Sequence, residues 1–434
     1  MSRVVITGLG VVSPVGTGAE RFWRSLVEGR SGVGRIGKFD PSGFPVQLGA
    51  EVRDFDPGAI IRGEDPKEAI DLATCFALAA AEMAWADAGL TCARVDPERI
   101  GLSLGVSSYH VPDYREIATL AQRAAARVPA ALNAETLVEE SLRTERGLAA
   151  LSGASITPAL FLGRRLPIRG PVTLLSTACA GGAQAIGEAK RCLERGQADL
   201  VLAGGSEESV NPIKLLFFHL LGALSTRNDA GAEALCPFDA RRDGTVLADG
   251  AGIVVLERLA HAARRGARIY AELVGYGASC DAYRLTDSHP EGLGGALAMT
   301  RALSDAGLPP ERIDYINAHG TATWVNDRIE TLAIRRVFGP HANKIPVSST
   351  KSMTGHLVTA SGAVECIATA LTLVRQVIPP TINYQAPDPE CDLDYVPNVA
   401  RGSEVTVALS NAFGFGGQNA TLILHRGLSG RDPC

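Results

Sequence analysis

The sequence predicts an α/β fold made of two equivalent halves, and two observations support this. Short apolar runs that suit buried strands alternate with helical patterns of about ten to fifteen residues, which predicts sheets covered by helices on both faces. One series of segments also occurs twice: Asp-Ala-Gly-Leu begins at residues 87 and 305, and each copy is followed by a Pro-Glu-Arg-Ile turn and an apolar strand. A repeat at about half of the 434-residue length indicates a duplicated unit.

The repeat sets a register between the halves. The strand before Cys179 corresponds to residues 345–349, and the helix after Cys179, which is closed by Gly196, corresponds to residues 360–375. Strand ends of α/β sheets usually line a central crevice. We therefore expect Cys179 from the first half to face histidines that follow strands of the second half.

These correspondences divide the chain into an N-terminal half, residues 1–257, a C-terminal half, residues 258–427, and a tail, residues 428–434. One stretch, about residues 111–155, breaks the pattern and is rich in alanine, arginine, glutamate and leucine. Such a composition predicts helices. The stretch is either a surface excursion or dimer contact, or a cap over a substrate tunnel.

Composition excludes several classes of function. A formal net charge of −5 and the absence of a long basic run argue against binding to nucleic acid. The N-terminus lacks a signal peptide, and the most apolar stretch, residues 215–224, is about half the length that spans a bilayer, so we expect a buried helix, no membrane contact and a cytoplasmic protein. The nine scattered cysteines contain no Cys-x-x-Cys pair, which favours neither disulfides nor a metal site.

Cys179 is the candidate nucleophile because an apolar run ends just before it and a small-residue helical pattern follows it. Unpaired N–H groups and the positive dipole end of a helix lower the pKa of a cysteine there. The alternative is a buried structural cysteine. His319 and His356 each follow an apolar run and lie next to a glycine. One cysteine and two histidines at strand ends suggest covalent acyl chemistry.

The N-terminal strand of residues 4–10 and six further motifs follow one another in a fixed order along nearly the whole chain, up to residue 420. The six motifs are Thr177-Ala178-Cys179, residues 223–229, Pro237-Phe238-Asp239, His319-Gly320-Thr321, residues 349–356 and the glycine loop of residues 414–420. Together they resemble the β-ketoacyl-acyl carrier protein synthases, condensing enzymes of the thiolase superfamily. The resemblance is strongest to the elongating branch of bacterial fatty acid and type II polyketide synthesis. It implies a thiolase-like, five-layered αβαβα fold and a dimer.

The resemblance also implies roles for individual residues. Cys179 would be the nucleophile, His319 and His356 would serve the carrier thioester and its decarboxylation, and Lys351 with Glu365 would organise the polar network. The N–H groups of Cys179 and Phe415 could then bind the tetrahedral oxyanion.

Further residues are implied to contact the substrate. Thr321 and Thr323 would contact a phosphopantetheine arm, although a turn-capping role is the alternative. Gly414 and Gly416 belong to a loop where backbone approaches substrate closely. Phe218 corresponds to a gate-like phenylalanine. No cofactor or metal is implied, since substrates arrive on the phosphopantetheine of an acyl carrier protein.

The implied reaction is a decarboxylative Claisen condensation. Malonyl-carrier protein would react with an acyl chain held on Cys179 and give a 3-oxoacyl-carrier protein. Homodimers and heterodimers with a chain-length-factor subunit both remain open, as do a specialised pathway and housekeeping fatty-acid elongation. A non-condensing chain-length-factor subunit is the alternative from another class, and Cys179 argues against it because those subunits lack the nucleophile.

Two departures from the family pattern favour the specialised pathway. Residues 214–217 are Lys-Leu-Leu-Phe where elongating members have mostly small residues, and this bulk would reshape the acyl pocket. Lys214 would face either that pocket or solvent, and in the pocket it would need a partner. The basic carrier-docking stretch is reduced to Arg62 and Lys67, and Gly222 stands where arginine is common.

Overall fold

A computed structural model describes residues 2–63, 70–91, 93, 95–107 and 156–427, so the stretch at 111–155, Lys67 and the tail lie outside the described residues. Its strands, in chain order, are β1 Val4–Ser13, β2 Gly16–Thr17, β3 Val33–Arg35, β4 Leu48–Ala50, β5 Ile100–Gly105, β6 Val172–Leu175, β7 Leu200–Glu207, β8 Gly250–Arg258, β9 Ala271–Cys280, β10 Tyr315–Asn317, β11 Val347–Ser348, β12 Val377–Ile378, β13 Arg401–Gly402, β14 Val407–Gly414 and β15 Gln418–His425. Its helices are α1 Ala19–Val27, α2 Pro57–Ile60, α3 Leu72–Asp87, α4 Thr157–Arg165, α5 Gly181–Glu194, α6 Pro212–Leu220, α7 Leu259–Arg264, α8 Leu293–Ala306, α9 Trp324–Phe338, α10 Lys351–Thr354 and α11 Ser361–Arg375.

Strand order confirms the two equivalent halves. The first half runs β1-β8-β7-β5-β6 across its sheet, and the second runs β9-β15-β14-β10-β11. In chain order both are the first, fifth, fourth, second and third principal strands of their half, and the parallel and antiparallel pairings agree at every step. The halves join where β1 pairs with β9 over two residues of each strand. The exact division at residues 257 and 258 stays a prediction.

Two helices form the central layer between the sheets. Helix α5 packs on β5 and β7, α11 packs on β14 and β8, and the two helices touch each other. A Cβ on Gly362 would lie 2.7 Å from the Cβ of Ala183, so this close approach depends on glycine. Helix α3 covers the outer face of β1 and β8, and α8 covers β9 and β15. These layers confirm the αβαβα arrangement.

The apolar stretch at residues 215–224 differs from the buried helix that the sequence predicts. Helix α6 ends at Leu220, and only one side of it is buried, with Leu215 inward while Leu216 and Leu220 are exposed. Gly222 follows at φ +67°, a conformation that disfavours a side chain. The backbone conformation therefore suits glycine at this position.

One described segment, residues 358–375, is long and apolar enough to span a membrane, but 89% of it is buried inside the protein. It contains α11, whose position between the two sheets accounts for its apolar composition.

Candidate active site

The turn after β6 carries Cys179. A short 3-10 turn of residues 178–180 separates the strand from α5, and Ala178 at its start has a positive φ of 47°. Cys179 is 4% exposed. The loop after β14 lies directly against this turn, since a Cβ on Gly414 would be 3.0 Å from the Cys179 nitrogen. Glycine at 414 therefore lets the two backbones meet.

Burial favours the neutral thiol at Cys179 and so opposes the helix-activated thiolate that the sequence predicts. Burial raises its pKa to about 12, although the Lys351 charge and the backbone N–H groups of Phe415 and Cys179 act in the opposite direction. The helix N-terminus is present, but desolvation outweighs it. Reaction at this sulfur consequently requires a group that accepts its proton.

His356 lies where it can accept the proton of Cys179. Its Nε2 lies 3.1 Å from the Cys179 sulfur, and its Nδ1 lies 2.9 Å from the Ser361 hydroxyl. The hydroxyl can donate or accept, so it supports either tautomer of the ring. The His356 backbone is fixed by hydrogen bonds to Val246 and Ala248 on a neighbouring segment.

His319 lies on a turn held by a buried carboxylate. Glu330 accepts hydrogen bonds from the backbone N–H groups of His319 at 2.9 Å and Gly320 at 2.8 Å. The side chain of Asn411 donates a third at 3.1 Å. The His319 and His356 rings are 5.5 Å apart between centroids and nearly perpendicular. Both imidazoles can therefore face one small substrate group.

Lys351 connects His319 to Glu365. Its Nζ lies 3.2 Å from His319 Nδ1, donates to the His319 carbonyl at 2.6 Å and forms a buried ion pair with Glu365. An ammonium has only donors, so Nδ1 must accept and the His319 proton must be on Nε2. Burial raises the pKa of Glu365 to about 7 against the effect of Lys351.

Both imidazoles are neutral. Burial lowers the pKa of His319 well below its ordinary value, and the charges of Lys351 and His356 lower it further. Burial and then Lys351 lower the pKa of His356 in the same direction. Neutral rings can donate a hydrogen bond or accept a proton, whereas an imidazolium could only donate.

A cavity brings the predicted residues together. Its lining includes the catalytic candidates and five further predicted residues: Cys179, His319 and His356, with Phe218, Thr321, Thr323, Gly414 and Phe415. The hydroxyls of Thr321 and Thr323 lie 2.9 Å apart, and Thr323 also caps α9 by accepting from the Asn326 N–H. Thr323 therefore lines the cavity and also caps a helix, the two positions that the sequence left open for it.

Sequence reasoning missed several lining residues. Thr286 and Ser288 come from the loop after β9, Thr245 and Ala223 from the segment near α6, and Asn326 from the start of α9. A small polar pair after a strand could have indicated Thr286 and Ser288. Nothing in the sequence indicates Thr245.

Lys214 has neither of the two orientations expected for it. It is 7% exposed, pairs with Glu207 at the end of β7, and donates to the Ser107 hydroxyl at 3.2 Å and the Glu208 carbonyl at 2.9 Å. These three acceptors satisfy all three ammonium hydrogens. Lys214 therefore faces a protein partner instead of the Cys179 cavity or solvent.

Phe218 and Gly416 complete the predicted set. Phe218 stacks on Phe415 with ring centroids 5.9 Å apart, beside Cys179 in one apolar cluster that also contains Leu215. Gly416 is exposed and outside the cavity lining, and its φ of +75° explains the glycine. Of the docking residues, Arg62 is exposed.

Within the described ranges, no group of three or more histidine, cysteine, aspartate or glutamate side chains is arranged to hold a metal ion. The seven cysteines in those ranges are free thiols.

A duplicated αβαβα scaffold with a buried cysteine, two neutral histidines and a hydroxyl-lined cavity defines a thiolase-type acyl-transferring enzyme. Comparison with known families agrees. The model described as beta-ketoacyl synthase, N-terminal domain, matches residues 1–262, and the corresponding C-terminal domain model matches residues 270–385. The chain belongs to the β-ketoacyl synthase family. It is thus a condensing enzyme of the acyltransferase class, and the predicted family and fold are confirmed.

Named relatives come from both branches that the sequence indicates. The chain is 42% identical to 3-oxoacyl-[acyl-carrier-protein] synthase 2 of Coxiella burnetii over 98% of each chain. It is 41% identical to the tetracenomycin polyketide synthase ketoacyl synthase alpha subunit of Streptomyces glaucescens, over 98% of this chain and 97% of that one. Overall identity therefore does not separate the two branches.

Solved structures give the same result. The AntDE:AntF complex, a type II PKS acyl-carrier protein with its ketosynthase, aligns with a TM-score of 0.86 at 35% identity, over 98% of this chain and 100% of that chain. The ishigamide ketosynthase/chain length factor aligns with the same TM-score and coverage at 36% identity.

Proposed function

We propose that this enzyme catalyses decarboxylative condensation of a malonyl thioester with an acyl chain held on Cys179. The observation that supports this most directly is the 3.1 Å contact between Cys179 and His356, with the His319 ring facing the same cavity. A nucleophile next to a base, and two donors next to both, are the groups that the two half-reactions need.

In the first half-reaction, the Cys179 sulfur attacks the carbonyl of an acyl-carrier thioester while its proton passes to His356 Nε2. The tetrahedral oxyanion accepts from the N–H groups of Cys179 and Phe415. Collapse expels the carrier thiolate, which takes the proton from His356. The products are acyl-Cys179 and the free carrier thiol, so protons and electrons balance.

In the second half-reaction, a malonyl thioester loses carbon dioxide and leaves an enolate on its thioester oxygen. His319 donates to that oxygen from Nε2–H, and His356 donates from Nε2–H in the tautomer whose Nδ1 accepts from the Ser361 hydroxyl. The enolate carbon then attacks the acyl-Cys179 carbonyl and releases a 3-oxoacyl thioester. The departing Cys179 thiolate takes the Nε2 proton of His356, which restores the thiol, and a proton from solvent replaces it on the imidazole at Nδ1.

Lys351 acts through His319 as a positioning residue. Its ammonium lies against Nδ1 and so favours the tautomer whose Nε2–H points at the cavity. Glu365 compensates the buried ammonium. Without that carboxylate, an unpaired charge would remain in the core, which is costly.

We propose a specialised pathway with its own carrier protein over housekeeping elongation. Relatives of both kinds are about equally similar, so the support comes from individual residues. Leu215 adds bulk to the cluster around Cys179, and Gly222 removes a common docking arginine. Housekeeping elongation remains the second candidate, because no catalytic group differs between the two pathways.

An acyl carrier protein is the proposed partner, with substrates carried on its phosphopantetheine and no cofactor resident in the enzyme. The structural relative AntDE:AntF contains such a carrier. The hydroxyls of Thr286, Ser288, Thr321 and Thr323 line the cavity and suit the amides of that arm. We place the protein in the cytoplasm, where its free thiols would remain reduced.

A second ketosynthase-like chain is the other proposed partner. Strand β6 lies at the end of the sheet order, and Val172 on it is 54% exposed. An exposed strand edge is a template for pairing with another chain. The ishigamide relative pairs a ketosynthase with a chain length factor, so the dimer is either homomeric or of that kind.

Acyl loading tests the proposal. Intact-mass analysis after exposure to a panel of acyl-pantetheine thioesters should show one acyl group on the wild type and none on Cys179→Ser, since a hydroxyl is a weaker nucleophile than a thiol next to the same base. Cys280→Ser removes an exposed thiol and should load normally. A hydroxylamine-labile adduct on the Cys179→Ser variant would place the nucleophile elsewhere.

A further inference from the structure

One hydroxyl in the active-site cavity has no partner in the protein. Thr245 is 2% exposed, lines the same cavity as Cys179, His319 and His356, and its Oγ1 makes no hydrogen bond. Across the ranges that the structure describes, no other side chain combines these properties. Buried polar groups are nearly always satisfied, so an unpaired hydroxyl on a residue that lines a substrate cavity indicates a bound ligand atom.

The backbone holds Thr245 beside the histidines. Its N–H donates to the Ala223 carbonyl at 2.8 Å, and its own carbonyl accepts from the Ser225 N–H at 2.9 Å. The next residue, Val246, accepts from the His356 N–H at 2.8 Å. Thr245 therefore belongs to the segment that fixes His356, and its backbone is held next to the reaction centre.

Other donors near the reaction centre are already matched to substrate atoms in the proposed function, on which this inference rests. The backbone N–H groups of Cys179 and Phe415 serve the acyl oxyanion. The Nε2–H groups of His319 and His356 serve the enolate oxygen. The malonyl carboxylate is the remaining charged group that must enter the cavity.

No cation is available for that carboxylate among the described lining residues, which are neutral or apolar. Thr321 and Thr323 are paired with each other, while Thr286 and Ser288 are partly exposed on a loop. Thr245 is the buried hydroxyl that is left.

We propose that the Thr245 hydroxyl donates a hydrogen bond to the carboxylate of the malonyl unit and so sets its orientation before carbon dioxide leaves. This bond is strongest to the intact carboxylate and weakens as the charge moves into the enolate. It contributes to binding of the extender unit more than to the transition state of decarboxylation. Its removal should therefore raise KM and leave kcat unchanged or higher.

The test uses full-length protein and malonyl-pantetheine labelled with 14C in the free carboxyl group. Thr245→Val keeps the shape of the side chain without the hydroxyl, and Thr245→Ser keeps the hydroxyl. From 14CO2 release we expect KM to rise about tenfold or more in the valine variant, in the range for loss of a hydrogen bond to a charged group, with serine close to wild type. The thermal midpoint of the valine variant should not fall, since no protein partner is lost.

Several outcomes would overturn the inference. These are an unchanged KM in Thr245→Val, a fall in kcat without a rise in KM, or equal effects of valine and serine. Acyl loading of Cys179 should be normal in both variants, and its loss would show general damage to the cavity and refute a role specific to malonyl. Absence of 14CO2 release by the wild type would instead refute the proposed function.

Discussion

Replacing Lys351 with methionine should impair decarboxylation through His319. The ammonium holds the His319 proton on Nε2 by contacting Nδ1 at 3.2 Å. Methionine has similar length and offers no donor, so both tautomers become accessible. Tautomer mixing alone accounts for about a twofold loss, whereas complete loss of one donor to a developing oxyanion costs about 10²- to 10³-fold. Because the ring also loses a fixed neighbour, we expect decarboxylation to fall about a hundredfold.

The same change should alter the pH profile. Lys351 lowers the pKa of His319 in addition to burial, so its removal moves that pKa upward, toward the ordinary value. Protonated His319 still donates from Nε2, but it adds a positive charge beside the enolate oxygen, so the decarboxylation rate depends on the titration of this ring. The pH at which that rate changes on the acid limb should therefore be higher in the variant than in the wild type.

Stability needs a separate control because Lys351 is ion-paired in the core. Removing one member of a buried pair costs about 3–5 kcal/mol. Lys214→Met removes a lysine from a comparable buried pair that contacts no histidine. Denaturant unfolding should show a loss of stability in both variants, while release of labelled carbon dioxide from malonyl-pantetheine should be reduced only in Lys351→Met. The double variant Lys351→Met, Glu365→Gln should regain stability and keep the reduced rate of decarboxylation.

Equal decarboxylation rates in Lys351→Met and Lys214→Met would refute this reasoning. A reduced rate with an unshifted acid limb would also contradict it, because it would show that the ammonium does not act on the His319 ring.

Two further predictions concern the cavity. His356→Ala should slow both acyl loading and decarboxylation, since the His356 ring contacts the Cys179 sulfur, whereas His319→Ala should slow decarboxylation and retain loading. Intact-mass loading and labelled carbon dioxide release separate the two; a His319 variant that loses loading first would contradict the assignment. Leu215→Ala should extend acyl loading by two or three carbons, because each methylene that enters the vacated space contributes about 0.8 kcal/mol. Superimposable chain-length profiles would show that Leu215 does not bound the acyl chain.

The sequence was sufficient for the fold and for three candidate reacting groups, which the structure brings together in one cavity. A repeated order of helix, turn and strand predicts two halves with matched topology. The structure has this topology because local sequence patterns specify each of these elements. Cys179, His319 and His356 were predictable because each lies in a motif that follows an apolar run, although His356 is separated from β11 by the short helix α10. Their meeting in one cavity follows from that topology.

The remaining features depend on contacts that no local pattern contains. The protonation of Cys179 is decided by the amount of protein around it, and so the dipole argument alone was insufficient. Lys214 pairs with Glu207 at the end of β7, and the sequence pattern of α6, which carries Lys214, does not predict this pair. Thr245 is notable for a missing partner, and only the surrounding structure can show that.

Lys214 and Lys351 are buried lysines on different elements, but they contact equivalent positions of the two halves. Ser107 lies two residues beyond the end of β5, and His319 lies two residues beyond the end of β10, the equivalent strand. Lys214 donates to the first side chain, and Lys351 contacts the second. Each lysine is also paired with a buried glutamate.

One architectural position thus has a hydroxyl in one half and an imidazole in the other, next to the same kind of charge. Next to the Ser107 hydroxyl, the Lys214 ammonium only attaches α6 to the sheet, because a serine hydroxyl does not titrate near neutral pH. Next to the His319 imidazole, the Lys351 ammonium selects where a proton resides. The division of labour between the copies consequently depends on a single side chain at each strand end, while the backbone that presents it is the same.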